Sequence, residues 1–320
     1  MTMSAQSTAE EVQYTFTEKA SHDIHTSKNV EQFCARFEME TKCHPSNLVD
    51  NILRPDQPRA IFVAGSISMG MATSISDIDF IVFVDSQDAL LPGATSKKNS
   101  DSALTFSNDG DPLSIGHFIH LINGIEVDIN IVLASKIEAI TQRLKLPGPE
   151  LSDGEVLTIG RLKKAWLISK SDGFLDHWDD FLSDYAFEVL CATRFYWMSL
   201  KMLEKARKAA SMRDFPVALY LARISAECVY WSYFASRGFC ALGTKWLKFV
   251  TVFDFNGDDN AKQLFTGKIP LVFPQYQMDV AALEQHFETI VGFQRSGRET
   301  IEKDLRFKIA FAVCPQIYPV

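Results

Sequence analysis

Ala64-Gly65-Ser66-Ile67-Ser68-Met69-Gly70-Met71-Ala72-Thr73-Ser74-Ile75-Ser76-Asp77-Ile78-Asp79 is the stretch around which the rest of the chain organises itself. Just before it, Pro58-Arg59 launches the apolar run Ala60-Ile61-Phe62-Val63-Ala64, which stops at Gly65. A run this short, closed by glycine, reads as a buried strand. The stretch ends on a second apolar run, Ile78 to Val84. If that run is also a strand, Asp77 and Asp79 stand two residues apart and point to the same side. Two carboxylates at one sheet edge repel each other and resist burial. A divalent, oxygen-seeking cation such as Mg²⁺ resolves the conflict. The other end of the stretch has a different chemistry. A strand that ends in Gly65-Ser66 and turns into a helix presents free backbone N–H groups, where anions bind. Glycine lets the backbone approach a phosphate closely, and the Ser66 hydroxyl adds a donor.

A third carboxylate comes from further along. His117–Ile122 and Ile125–Leu133 are apolar-rich runs separated by Asn123-Gly124, the strongest short hairpin signal a sequence carries. Along the second run Ile125, Val127, Ile129 and Ile131 form one face, while Glu126, Asp128 and Asn130 occupy the other. If the strands are neighbours, Asp128 reaches a metal held by Asp77 and Asp79. Three acids on adjacent strands can hold two metals about 4 Å apart, the arrangement that clamps an in-line phosphoryl displacement. A phosphate grip beside such acids describes a nucleoside-triphosphate site.

Outward from there, residues 1–27 read as a loose N-terminal arm, and Val30 to Leu53 as helix broken around His44-Pro45-Ser46. The polar stretch Asp85 to Asp111 reads as loop. Ser135–Leu144 reads as helix, and Ala165–Ser169 as a last edge strand with Ser171-Asp172-Gly173 as its turn. Beyond, the apolar period changes from two to that of helices. Leu182, Tyr185, Val189, Ala192, Tyr196, Leu200 and Leu203 mark one long amphipathic helix. Phe215 to Arg237 mark a second, stopped by Gly238, with further helices expected at Lys245–Val252 and Val280–Arg306. The expected division is a first domain over 28–160 and a helical, substrate-binding domain over 161–320. The 320 residues suffice for about two domains, and 47% apolar content provides for a sizeable core. A net charge of −8 argues against broad nucleic-acid binding. The six cysteines are scattered with no C-x-x-C pair, so neither a zinc site nor a disulfide framework is indicated. No apolar run reaches the ~18 residues of a membrane span, and the N-terminus lacks a secretory pattern. The chain reads as a cytoplasmic protein with no membrane partner.

Gly65-Ser66, ten intervening residues, Asp77-Ile78-Asp79 and an acid on a later strand together resemble the DNA polymerase beta-like nucleotidyltransferase superfamily. The helical second half, entered through the strand-turn Trp166–Gly173, makes the chain most similar to aminoglycoside and other small-molecule nucleotidyltransferases. The motif resemblance spans about residues 58–133; over the helical part it is architectural. It implies an α+β fold, with an N-terminal mixed β-sheet nucleotidyltransferase domain followed by a C-terminal helical domain. It also implies a reaction. A nucleoside monophosphate, by default AMP from ATP, moves to a hydroxyl of a small-molecule acceptor, and pyrophosphate leaves. ATP or another NTP is then the donor and two Mg²⁺ ions are expected. By position, Gly65 and Ser66 hold the triphosphate. Asp77 and Asp79 bind both metals, and Asp128 binds the catalytic metal and takes the acceptor proton. One departure matters: members often carry a basic residue where Met69 stands, and the segment Ile67 to Ile75 contains no Lys or Arg. Triphosphate charge must then meet cations elsewhere, for which Arg223, Lys245, Lys163 and Lys164 are the candidates.

Glu227, on the aromatic-rich helix, is a candidate for a general base or for holding a cationic substrate, though a helix-to-helix ion pair is the better explanation of it. His117 and His120 have no Cys or His partner at ligand spacing and read as structural. Trp197, Tyr230, Trp231, Tyr233 and Phe234 read mostly as core. Two other function classes keep this fold: a transferase acting on a protein side chain or an RNA end, and a catalytically silent nucleotide sensor or antitoxin-like partner. Loss of one of the three acids would mark the silent class, and all three are present.

Overall fold

The computed structural model describes residues 27–69, 72, 76–94, 104–107, 113–144, 151–176, 186–240, 250, 253, 255–269 and 280–303. Six strands form one mixed sheet: β1 (Arg59–Ala64), β2 (Ile78–Val84), β3 (Leu104–Ser107), β4 (Ser114–Ile122), β5 (Ile125–Leu133) and β6 (Trp166–Lys170). Their order across the sheet is β3-β4-β5-β2-β1-β6. All neighbours are antiparallel except β2 and β5, which run parallel in the middle. The Asn123-Gly124 hairpin sets β4 antiparallel to β5: both turn residues have positive φ, 51° and 83°, the tight turn that Asn-Gly favours. Pairing of β5 with β2 on its other side then places it inside the sheet.

Residue alternation assigns the two faces of the sheet. Ile61, Val63, Phe80, Val82, Phe118, Val127 and Ile129 are buried on one side against Phe37 of α1 (Ser27–Thr41) and the Leu48–Leu53 segment. Phe37 meets Phe80 edge-on at 5.6 Å. Ala60, Phe62, Ala64, Ile81, Phe83 and Val132 are buried on the other side. There they join one continuous core with α3 (Ala134–Leu144), α4 (Asp153–Leu162), α5 (Ala186–Ser211) and α6 (Phe215–Ser236). Each fully buried aromatic or branched side chain in these layers stabilises the fold by roughly 1.5–3 kcal/mol. The second core is therefore what holds the helical half to the sheet. Gly160 of α4 adds a close backbone contact: a Cβ there would stand 2.9 Å from the carbonyl carbon of Cys240, just past α6.

The helices α5 and α6 form an antiparallel pair, joined by α7 (Asp259–Gly267) and α8 (Val280–Lys303). From Cys228 to Ala235 every residue of α6 is buried, so this helix is apolar all round rather than on one stripe. Tyr230, Trp231, Tyr233 and Phe234 are core residues. The Tyr230 hydroxyl donates to the Phe265 carbonyl at 2.8 Å, and Tyr233 stacks on Phe265 at 4.3 Å. Polar groups inside the bundle pair across helices. The Ser225 hydroxyl donates to the Ser199 carbonyl at 2.5 Å, and the Gln294 amide donates to the same carbonyl at 2.9 Å.

Three elements differ from the sequence expectation. Leu104–Ser107, read as loop, forms the edge strand β3, because pairing with β4 supplies what its own short pattern does not. Helix α4 begins at a full capping box between Ser152 and Glu155. That S-x-x-E signal stands in the sequence just after Pro147 and Pro149. Helix α7 is capped by Asp258, whose carboxylate accepts from the Ala261 N–H. The helix expected over Lys245–Val252 lies outside the described residues apart from Val250, as do 1–26 of the arm. Among the described residues no helix is long and apolar enough to cross a membrane.

Candidate functional site

The sheet register brings the acids together. Asp79 is the Cα partner of Ala64 on one side and of Asp128 on the other. Asp77 lies just ahead of β2, two residues before Asp79. By alternation Asp79 shares a face with Ile81 and Phe83, and Asp128 shares one with Val132. Both therefore stand on the face that the helical half covers. Asp77, Asp79 and Asp128 each offer one ligand oxygen, and these atoms all lie within 4.8 Å of one another. Asp79 and Asp128 are half-buried. Like charges this close are unfavourable unless something positive joins them.

Two further observations test whether a cation fits. The Asp128 Oδ1 atom is closed to solvent and has no hydrogen-bond partner among the described residues. Buried polar atoms are otherwise nearly always partnered. The donor set is all oxygen, the chemistry that Mg²⁺, Mn²⁺ and Ca²⁺ take. The residues present fit a divalent ion.

Gly65 completes this corner. Its φ is +69°, and a Cβ built there would overlap the Asp79 carboxylate, standing 2.8 Å from its Cγ and nearer to Oδ2. Only glycine gives that carboxylate its place. The following turn, α2 (Gly65–Ser68), is a single helical turn, and the Ser66 hydroxyl oxygen is buried with no partner among the described residues. Met69 packs against the core shared with the helices.

Of the remaining candidates, Arg223 sits on α6 near α8. Burial, and then the Arg223 charge, hold His286 of α8 below its usual pKa. Glu227 stands one turn further on and is not part of the metal-ligand group. Burial, and then its charge, push the neighbouring Cys228 thiol up to about 12. Lys245 lies outside the described residues. Lys163 is committed elsewhere: its Nζ is 3.1 Å from Glu188 Oε1, with side chains 4% and 9% exposed. Burial raises the pKa of Glu188 against the opposing charges of Lys163 and Lys164. Burial also lowers that of Lys164. Lys163→Met should cost about 3–5 kcal/mol by leaving Glu188 buried without its partner. Urea unfolding checks this, with Lys163→Met/Glu188→Met recovering most of the loss.

The residue that sequence reading set aside is His117. It stands on β4, is the Cα partner of Asn130, and shares the face of the acids. Its Nε2 lies 3.8 Å from Asp128 Oδ2. No motif spacing signals this, because His117 and Asp128 meet only through hairpin register.

No protein-family model matches the chain, and no curated protein matches it. A nucleotidyltransferase-like protein from Exiguobacterium sibiricum 255-15 is similar in structure, with a TM-score of 0.40 and 12% identity, over 86% of this chain and 78% of that one.

Proposed function

We propose that the chain is a metal-dependent nucleotidyltransferase that moves a nucleoside monophosphate, by default AMP from ATP, onto a hydroxyl of a small-molecule acceptor. The observation that carries this is the convergence of Asp77, Asp79 and Asp128 within 4.8 Å on the sheet face turned to the helices. It gains force from the Gly65 cradle around the Asp79 carboxylate and from the buried Ser66 hydroxyl, which has no partner among the described residues. Asp77, Asp79 and Asp128 would hold two divalent ions, expected to be Mg²⁺. When bound these would neutralise triphosphate charge and stabilise the charge that develops in the transfer.

The protein's own groups divide the remaining work. The Gly65 backbone and the Ser66 hydroxyl bind and orient phosphate oxygens of the donor. The Asp128 carboxylate accepts the proton of the acceptor hydroxyl. The acceptor oxygen then forms its bond to the α-phosphorus as the bond to the β-phosphate oxygen breaks and pyrophosphate leaves. Packing of the helical half on this face of the sheet would limit the water that competes as acceptor. Arg223 and Lys245 are the proposed partners for triphosphate charge, and Glu227 a proposed contact for the acceptor.

Calorimetry with ATP, CTP, GTP and UTP tests the reading. One nucleotide should bind with Mg²⁺ and not without it, and Asp77→Asn/Asp79→Asn should abolish the binding. Equal nucleotide binding by folded wild type and double variant would overturn the assignment.

A further inference from the structure

We propose that His117 is a fourth ligand of the cation site, so that the ion on the Asp128 side is a transition metal, with Mn²⁺ held above Mg²⁺. This rests on the carboxylate reading above and adds an imidazole that the three-acid pattern does not contain.

Hairpin register carries the geometry. Ile119 is opposite Asp128 and His117 is opposite Asn130, so His117 is the diagonal neighbour of Asp128 on the same face. The 3.8 Å from Nε2 to Asp128 Oδ2 is too long for a hydrogen bond. It suits two atoms that share an ion. Ligands about 2.1 Å from one cation lie about 3 Å apart at a right angle and about 4.2 Å apart when opposed.

The surroundings leave both groups open to such an ion. His117 Nδ1 is buried with no partner among the described residues, so Nε2 is the ring nitrogen that can meet a ligand, and it faces Asp128. The side chains of His117 and Asp128 are 13% and 19% exposed, enough for an ion to enter and too little for water to satisfy every atom. Asn130, only 8% exposed, stands on this face beside both, and its Oδ1 is also unpartnered. Asp128 Oδ1 and Asn130 Oδ1, two residues apart on one face of β5 and both without partners among the described residues, describe a wall that a ligand completes.

Ligand chemistry then selects the ion. Mg²⁺ prefers oxygen donors and sheds its waters reluctantly. An imidazole nitrogen adds affinity for first-row transition ions, and among them Mn²⁺ also takes the carboxylates that fill the rest of this site. The nitrogen donor widens the preference for Mn²⁺ over Mg²⁺ beyond what three carboxylates give, since Mg²⁺ gains little from it.

Pulsed electron paramagnetic resonance of the full chain with added Mn²⁺ tests this without reference to activity. The expected result is bound Mn²⁺ with ¹⁴N modulation, replaced by ¹⁵N coupling in protein made with ¹⁵N-histidine. In folded His117→Gln the modulation should disappear and Mn²⁺ should bind at least about tenfold more weakly, the lower end of the effect of losing even an outer-sphere partner. Mg²⁺ affinity should change much less. Mn²⁺ that binds, is lost in Asp79→Asn and Asp128→Asn, and shows no nitrogen coupling would overturn His117 as a ligand and keep the carboxylate site. Nitrogen coupling that persists in folded His117→Gln would also overturn it. Failure of wild type to bind Mn²⁺ would overturn both readings. Should His117→Gln not fold, the labelled wild-type protein decides alone.

Discussion

Asp79→Asn should lower the proposed nucleotidyl transfer by about 10³-fold and leave the metal-free protein at least as stable as wild type. The two outcomes have one cause. Asp79 is the middle member of the acidic group, paired with Asp128 across β2–β5 and seated against Gly65. Without its charge the proposed site would lose its hold on a divalent ion, and the proposed transfer would lose several kcal/mol of charge stabilisation. A loss of about 4 kcal/mol lowers the rate by about 10³-fold. Stability moves the other way. Two carboxylate charges within 4.8 Å of each other repel by at least about 1 kcal/mol at the dielectric constant of water and by at least about 3 at an effective value of 20. Asn keeps the shape and removes that repulsion. Pyrophosphate release from ATP with a small-molecule cell extract as acceptor source reads the first effect, and thermal unfolding in EDTA reads the second. An Asp79→Asn protein that unfolds earlier than wild type in EDTA would mark the carboxylate as a structural partner instead.

The second large effect is expected at a residue with no functional group. Gly65→Ala forces an L-residue to φ +69°, at a cost of about 1–2 kcal/mol. Its methyl also occupies the space of the Asp79 carboxylate, so either strand β1 or Asp79 must move. Displacing a reacting group by about 1 Å can lower turnover about 10²-fold, and Mg²⁺-dependent nucleotide binding should fail with it. Gly65→Ala/Asp79→Ser separates the two costs. The smaller serine makes room for the methyl, so the double variant should regain part of the stability lost in Gly65→Ala while remaining inactive. Additive stability losses in the double variant would show that the two residues do not meet.

Most of the sheet was legible because its strands carry their own punctuation. Ile78–Val84 and Ile125–Leu133 are strands with the expected bounds, one opened by Ser76-Asp77 and the other by Asn123-Gly124. The acidic positions followed from the period of two and from the resemblance built on them. The edge strand β3 was not legible, since four residues acquire strand geometry only from the partner that pairs with them. The basic candidates met a similar obstacle. Lys163 looks from sequence like a cation available to phosphate, whereas packing of α4 against α5 places it on Glu188 in the core. A helical pattern reports which side of a helix is apolar. It does not report which charge waits on the facing helix.

The sequence by itself determined the local chemistry of this protein: two carboxylates on one side of a strand, a third on a hairpin strand, and a glycine at the turn preceding them. Each depends on residues close in the chain and on the fixed periods of strand and turn. Tertiary structure alone decided that β5 lies parallel to β2, with Asp128 opposite Asp79. It also decided that their shared face is the one the helices cover, and that His117 stands beside Asp128. These are properties of register and of layer packing between segments distant in sequence, where burial of the apolar faces chooses the partners and the polar residues are carried to wherever that choice leaves them.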